Sequence, residues 1–274
     1  MGVVGDDSGT HVAGRSAKAR QLPILAVTGL AREARLIAGS GFATIGAGGN
    51  SVRLKDMLDA RVSPGCSAVV SIGIAGGLDP ILVPGDIVIA TGIVAEHEYH
   101  PIREDIVAFL AGGFSGTRNK LMLADIAGVN IPALTPAAKS ALRRKTGAAA
   151  VDMESHVAAA FATKHRLPFA VVRAICDPAH RALPAFVLRA LQPSGHVDIM
   201  AIVASAIITR SATISDLFQL SRDSAKAFEA LRHWRMALDL SFPSFGEFLD
   251  KVPQTDKCDG LINGLGTTIQ SRMA

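Results

Sequence analysis

Aromatic side chains are scarce in this chain: one Trp, one Tyr and 11 Phe in 274 residues, 5% in all. Base stacking on single-stranded nucleic acid needs planar side chains as platforms, so no nucleic-acid partner is expected. Cysteine is also sparse. Cys66, Cys176 and Cys258 are odd in number and far apart, which fits reduced core thiols in a cytoplasmic protein better than a disulfide framework or a zinc ribbon. No long apolar run is present. The longest, around residues 199–208, falls short of the ~20 residues a bilayer crossing needs. The first 20 residues carry Asp6 and Asp7 and lack an apolar core, and the run at 22–28 is too short for a secretory signal. Charge of one sign does not dominate either: the formal net charge is +4 and the pI about 9.1. Basic residues are scattered, apart from Lys139, Arg143, Arg144 and Lys145. These read as the solvated last turn of a helix, with an anion site as the alternative.

With 49% hydrophobic and 19% charged residues, the composition is that of a globular α/β protein whose length suffices for one large core. Residues 1–21, rich in Gly, Ser and charge, read as a flexible tail. Residues 22–240 form the expected domain. Residues 241–274, where Pro, Gly, Asp and Thr rise, read as a poorly specified extension.

Order begins with a buried strand at 22–27, then Thr28-Gly29 and a helix carrying Arg32, Glu33 and Arg35. A glycine turn between strand and helix lets backbone N–H groups approach an anion. A second strand at 42–45 runs into Gly46-Ala47-Gly48-Gly49-Asn50. This fragment of a dinucleotide fingerprint lacks its third glycine and the strand-end acid that should follow, so no nicotinamide cofactor is expected. A helix over 52–60 comes next, then a central strand at 68–77 ending in glycines, and a turn at Pro84-Gly85-Asp86 feeding another strand. Continuous apolar strands alternating with helices predict helices on both faces of a largely parallel sheet.

The pattern loosens between 91 and 142. There Glu96-His97-Glu98-Tyr99-His100 concentrates polar groups; without a third ligand at a recognisable spacing, the two histidines suggest an exposed or substrate-facing loop rather than a metal centre. Further on, Pro178, Pro184 and Pro193 punctuate a lid or connection. Helices follow from 197 to about 240, with Phe228, Leu231, Trp234 and Leu238 near one face.

The most informative stretch is 147–177. A short apolar run delivers Asp152 and Glu154 to the start of an alanine-rich helix, where carboxylates sit well beside unpaired N–H groups. A β-branched strand then ends on Asp177. Carboxylates gathered at strand ends suit acid–base chemistry on a polyhydroxylated or basic ligand, because open α/β sheets bind ligands at the carboxyl ends of their strands.

Three segments, in this order, resemble the nucleoside phosphorylase and nucleosidase superfamily: Ser71-Ile72-Gly73-Ile74-Ala75-Gly76-Gly77-Leu78, Val83-Pro84-Gly85-Asp86-Ile87-Val88-Ile89, and Ala150-Val151-Asp152-Met153-Glu154-Ser155 followed by Val171-Val172-Arg173-Ala174-Ile175-Cys176-Asp177. The resemblance covers roughly residues 22–210. Its Asp-Met-Glu-Ser form and later helices look most like the hopanoid-associated phosphorylases, which remove adenine from adenosylhopane. It implies a three-layer αβα fold around a central mixed, mostly parallel twisted sheet. It implies N-glycosidic cleavage of an adenine nucleoside with no resident cofactor, and a homo-oligomer, with a dimer favoured. Asp177 matches the acid that assists protonation of the purine at N7, and Glu154 the carboxylate that binds the ribose hydroxyls. Met153 matches the side chain packed on the sugar, with Asp152, Gly76 and Gly77 also on the substrate side. Two positions depart from the family. The water-activating glutamate of 5′-methylthioadenosine/S-adenosylhomocysteine nucleosidases aligns with Ala34, with Glu33 beside it, and the phosphate-binding arginine of hexameric phosphorylases aligns with Ser71. An anion pocket from Gly29, Arg32 and Glu33, together with Ala34, favours inorganic phosphate as co-substrate over water. Alternatives are a hydrolytic nucleosidase of the methylthioadenosine type and a non-catalytic nucleoside-binding protein. A hopanoid substrate would also bring the chain to the inner face of a membrane, through residues 183–240 and the basic Arg222, Lys226, Arg232 and Arg235.

Overall fold

The computed structural model describes residues 22–39, 41–61, 65–112, 114, 119–183 and 214–251. Strand β1 (Ile24–Thr28) and helix α1 (Ala31–Ile37) are followed by β2 (Phe42–Gly46), α2 (Ser51–Asp59), β3 (Ala68–Gly77) and β4 (Ile87–Val94). Then come β5 (Tyr99–Pro101), α3 (Glu104–Gly112), β6 (Leu121–Gly128), α4 (Pro136–Thr146), β7 (Ala150–Asp152), α5 (Ser155–Lys164), β8 (Phe169–Asp177) and α6 (Ile214–Lys251). The fold is the expected mixed α/β arrangement around a central sheet. Among the described residues, five strand pairs are parallel (β1 with β2 and β3, β3 with β8, β4 with β6, β6 with β7), and three are antiparallel (β3 with β7, β4 with β5, β4 with β8).

The pairing runs in a circle that the sequence pattern does not announce. β3 pairs with β8, β8 with β4, β4 with β6, β6 with β7, and β7 returns to β3. One edge of β3 is shared in succession: Ala68–Ser71 face β1, and Gly76–Gly77 face β7. Register shifts at Ala75/Gly76 and Ala90/Ile93 mark where the strands bend, as bulges do where a sheet curls towards closure. The bend at Gly76 is also where the acids gather.

The apolar strands form the core, with Leu25, Val27, Ile72, Ile87, Ile89, Val171 and Ile175 fully buried. α6 corrects two expectations. It continues without a break through Lys251, so a domain boundary at 240 falls inside a helix. Its stripe of Phe228, Leu231, Trp234 and Leu238 is buried against the sheet as part of the main core, and Arg235 is buried with its guanidinium over the Phe42 ring. That face is therefore unavailable to a lipid surface. No described helix is long and apolar enough to cross a membrane. The apolar run at 199–208 and Cys258 lie outside the described residues.

α4 corrects a third expectation. Thr135 caps it through its Oγ1, which accepts from Ala138 N, Pro136 opens it, and Gly147 ends it at φ 72°, where a Cβ would be strained. Within it Arg144 is exposed to solvent, but Lys139 is 0% exposed. A lysine reached by burial rather than by solvent needs a partner, and it finds one in the site below.

Candidate active site

Beside the bend of β3 lies a cavity of about 150 Å³ lined by Glu33, Asp152, Glu154 and Asp177 among the polar groups, with Met153, Gly76 and Cys176. Its apolar wall comes from Leu30, Ile74, Val129, Leu134 and Leu183. Four elements distant in sequence thus deliver carboxylates, or the wall that surrounds them, to one place.

Glu33 is held by three backbone donors. Gly29 N and Leu30 N donate to Oε2, and Ile74 N donates to Oε1, each at 2.8 Å. The close approach to β3 requires a glycine: a Cβ on Gly73 would stand 2.7 Å from Oε1. The carboxyl is 2% exposed, and burial pushes its pKa up against the pull of these donors. Here the sequence expectations for the first turn change. Glu33, not Ala34, turns its carboxylate into the cavity. The Gly29 N–H that was expected to meet an anion is already spent on Glu33. Arg32 sits with its guanidinium 4.0 Å from the Phe228 ring centroid, in a cation–π contact on α6, and it does not line the cavity.

Asp152 and Glu154 share a second buried cluster. Asp152 Oδ1 accepts from Ser155 N and Ser155 Oγ at the start of α5, while Oδ2 pairs with Arg173. Arg173 projects from the middle of β8 with 0% exposure, donates to Ser71 Oγ at 2.7 Å and lies 3.9 Å from Glu154. The position where an arginine was looked for, Ser71, is therefore met by a guanidinium from the neighbouring strand, already neutralised by Asp152. Glu154 has Arg173 at 3.9 Å, a cation it shares with the closer Asp152. Burial first, then the Asp152 charge, push its carboxyl up to about 8 against the pull of Arg173. A Cβ on Gly29 would meet Glu154 Oε1 at 2.7 Å, so the first turn needs glycine for this contact as well.

Asp177 ends β8 with both oxygens engaged. Lys139 Nζ donates to Oδ2 at 2.5 Å and Cys176 Sγ donates to Oδ1 at 3.0 Å. Burial raises the carboxyl above its ordinary value, and the Lys139 charge opposes the rise. Gly76 lies alongside, where a Cβ would come within 3.2 Å of Asp177 Oδ2. Gly77 packs near Ile175 and Pro178 instead and does not line the cavity.

His97 and His100 do not reach this site. His97 is 3.9 Å from Glu96 on the surface, and His100 contacts Glu98 at 3.1 Å. His100 and His156 line a separate, larger cleft of about 510 Å³ between α2, α5 and the β4–β5 turn, which holds none of the four site carboxylates. Among the described residues no group of three or more His, Cys, Asp or Glu could hold a metal ion.

Residues 95–210 match the sequence model of the phosphorylase superfamily. Solved structures of several nucleosidases and of a futalosine hydrolase share this chain's fold. A putative methylthioadenosine nucleosidase from Weissella paramesenteroides superposes with a TM-score of 0.51 and 21% identity over 66% of this chain and 99% of its own. A 5′-methylthioadenosine/S-adenosylhomocysteine nucleosidase from Colwellia psychrerythraea, in complex with adenine, gives 0.55 and 15% over 80% and 96%. A futalosine hydrolase mutant from Helicobacter pylori gives 0.50 and 18% over 67% and 99%. No curated protein matches the chain by sequence.

Sequence reasoning placed Asp177, Glu154, Met153, Asp152 and Gly76 at the site, and the structure brings them together around one cavity. It missed Lys139, Arg173 and Cys176. A lysine on the helix face opposite the exposed Arg144 and an arginine inside an otherwise apolar strand are the signals that were available.

Proposed function

We propose that this chain cleaves the N-glycosidic bond of an adenine nucleoside by hydrolysis. The observation that carries the reading is the shared cavity: Asp177, Glu154 and Met153 line it together, with a third carboxylate, Glu33, facing them. Asp177 serves as the acid that assists protonation of the base at N7, so the C1′–N9 electron pair leaves on a neutral adenine. General-acid assistance typically contributes 10²–10⁴-fold. Glu154 hydrogen-bonds the ribose hydroxyls, and the positive charge developing on the sugar favours the ionised form of this carboxyl, whose charge then stabilises it. Met153 packs against the ribose.

Water is favoured as the nucleophile for two reasons. Glu33 uses three of its roughly four acceptor positions on backbone N–H groups, which leaves one for a water. As that water adds to C1′, its proton passes to Glu33. A phosphate dianion would meet carboxyl groups in this cavity whose neighbouring cations, Arg173 and Lys139, are already paired with Asp152 and Asp177, and would find the first-turn donors occupied. The earlier grounds for phosphate, Ala34 and Arg32, do not face the cavity.

The wall of Leu30, Ile74, Val129, Leu134 and Leu183, with Ile131 80% exposed on the adjoining loop, suits a nucleoside carrying an apolar 5′ substituent. Adenosylhopane is the candidate substrate suggested by the Asp-Met-Glu-Ser motif, and 5′-methylthioadenosine the smaller alternative. Incubating the purified chain with adenosine, 5′-methylthioadenosine and adenosylhopane, and measuring free adenine by chromatography, tests the reading. Nucleoside bound but recovered intact would instead indicate a non-catalytic binding protein.

A further inference from the structure

Lys139 is a buried charge that the reaction described above does not use directly. All three of its N–H donors are spent: on Asp177 Oδ2 at 2.5 Å, on the Pro178 carbonyl at 2.9 Å and on the Arg181 carbonyl at 3.1 Å. One ammonium therefore joins α4 to the carboxyl end of β8 and to the segment that leaves it. That segment is pinned again two residues later, where Leu183 N donates to Leu134 O at 2.7 Å, and both leucines line the cavity. A surface lysine would gain little from such a pairing. A lysine with 0% exposure has given up its hydration entirely and is retained only with its partners in place.

We propose that Lys139 is a positioning residue for Asp177: its ammonium orients the carboxylate, sets its readiness to hold a proton, and fixes the 178–183 wall of the cavity. The proposal rests on the reading of Asp177 as the acid. Groups from every neighbouring element bear on that carboxyl. Lys139 approaches from α4 and the Cys176 thiol from β8. Arg181 approaches from the following segment, itself paired with Asp223 of α6. Glu33 and Glu154 line the same cavity from α1 and from the start of α5. Gly76 of β3 adds no side chain there. Among the described residues, Lys139 alone places a full positive charge in direct contact. Burial alone favours a protonated Asp177, and the ammonium opposes it. Once the proton has gone to the base, the carboxylate left behind is paired rather than stranded.

The test follows the Asp177 carboxyl in the full chain labelled with ¹³C-aspartate, the resonance being assigned by its loss in Asp177→Asn. With Lys139→Met the titration midpoint should move up by at least one pH unit, because desolvation is then unopposed; with Lys139→Arg it should stay within half a unit. In parallel, the alkaline limb of the kcat/KM profile for adenine release should move with the midpoint, and kcat should fall at least tenfold in Lys139→Met with KM changed less than threefold. If Lys139→Met does not fold, Lys139→Arg decides: a retained midpoint with kcat lowered severalfold supports positioning, and a wild-type kcat overturns it. An unmoved midpoint in folded Lys139→Met overturns the proposal whatever the activity. A wild-type chain that releases no adenine while the midpoint still moves contradicts the hydrolase reading and leaves the Lys139–Asp177 coupling standing.

Discussion

The Ile74 N–H donates to Glu33 Oε1 at 2.8 Å, which ties the first strand–helix turn to the middle of β3 across 41 residues of sequence. The bond explains why a carboxylate can be buried there and why Gly73 must be glycine. Replacing Glu33 by Ala strands three N–H donors, each costing about 1–3 kcal/mol when left without an acceptor. Urea denaturation should show a loss on the order of 3 kcal/mol or more. Glu33→Gln retains one acceptor oxygen and should lose less stability while still lowering adenine release at least tenfold. Unchanged turnover in Glu33→Gln would remove Glu33 from the handling of water.

Gly73→Ala tests the same contact from the other side. The new methyl would stand 2.7–2.9 Å from the carboxylate atoms of Glu33, closer than unbonded atoms approach, so Glu33 must move. The chain should fold, because β3 is otherwise compatible with Ala. Its kcat should drop while nucleoside binding, measured by calorimetry, falls less. Wild-type kcat in Gly73→Ala would show that the placement of Glu33 is immaterial.

The buried Arg173–Asp152 pair makes a prediction about stability rather than rate. Removing one partner leaves the other charged and dry, at a cost of about 3–5 kcal/mol. Arg173→Met should therefore be far less stable than the double variant Arg173→Met with Asp152→Asn. The cycle is read by chemical denaturation, and equal stabilities for the two would contradict the pairing.

pH dependence of stability follows from Glu154. Its carboxyl, near 4.5 when unfolded, is raised to about 8 in the folded chain. Between these values the folded state holds a proton that the unfolded state has lost, so stability falls as pH rises through that window. Glu33 and Asp177, also raised by burial, act in the same direction. Tm should decline from about pH 5 to pH 8, and Glu154→Gln should flatten the decline in part. A Tm that rises across this range would contradict the burial-raised carboxyl of Glu154.

Much of this was legible in the sequence, for physical reasons that differ by element. The apolar strand at 68–77 and the turn at Pro84-Gly85-Asp86 carry their own local signals and appear as β3 and the entry to β4. Asp177 and Glu154 could be placed together because strand ends and helix starts collect at one edge of an α/β sheet. The circular pairing of β3, β8, β4, β6 and β7 could not be read, because it depends on which edges meet between strands as far apart as Gly76 and Asp177. Lys139 was hidden for a related reason. Its neighbours Arg143, Arg144 and Lys145 make the segment look solvated, and only the packing of α4 on the end of β8 shows that one of the four points inward. The first turn misled through alignment by one position: Glu33 and Ala34 differ by about 100° around α1, and the structure turns Glu33 to the cavity.

The central claim is that water, not phosphate, takes the ribosyl group from adenine. The most direct measurement is adenine release in phosphate-free H₂¹⁸O with the sugar product examined by mass spectrometry. The account predicts adenine and a free sugar carrying one ¹⁸O at C1′, at a rate that added phosphate does not raise. Adenine that appears only when phosphate is supplied, with an unlabelled sugar 1-phosphate, would contradict it.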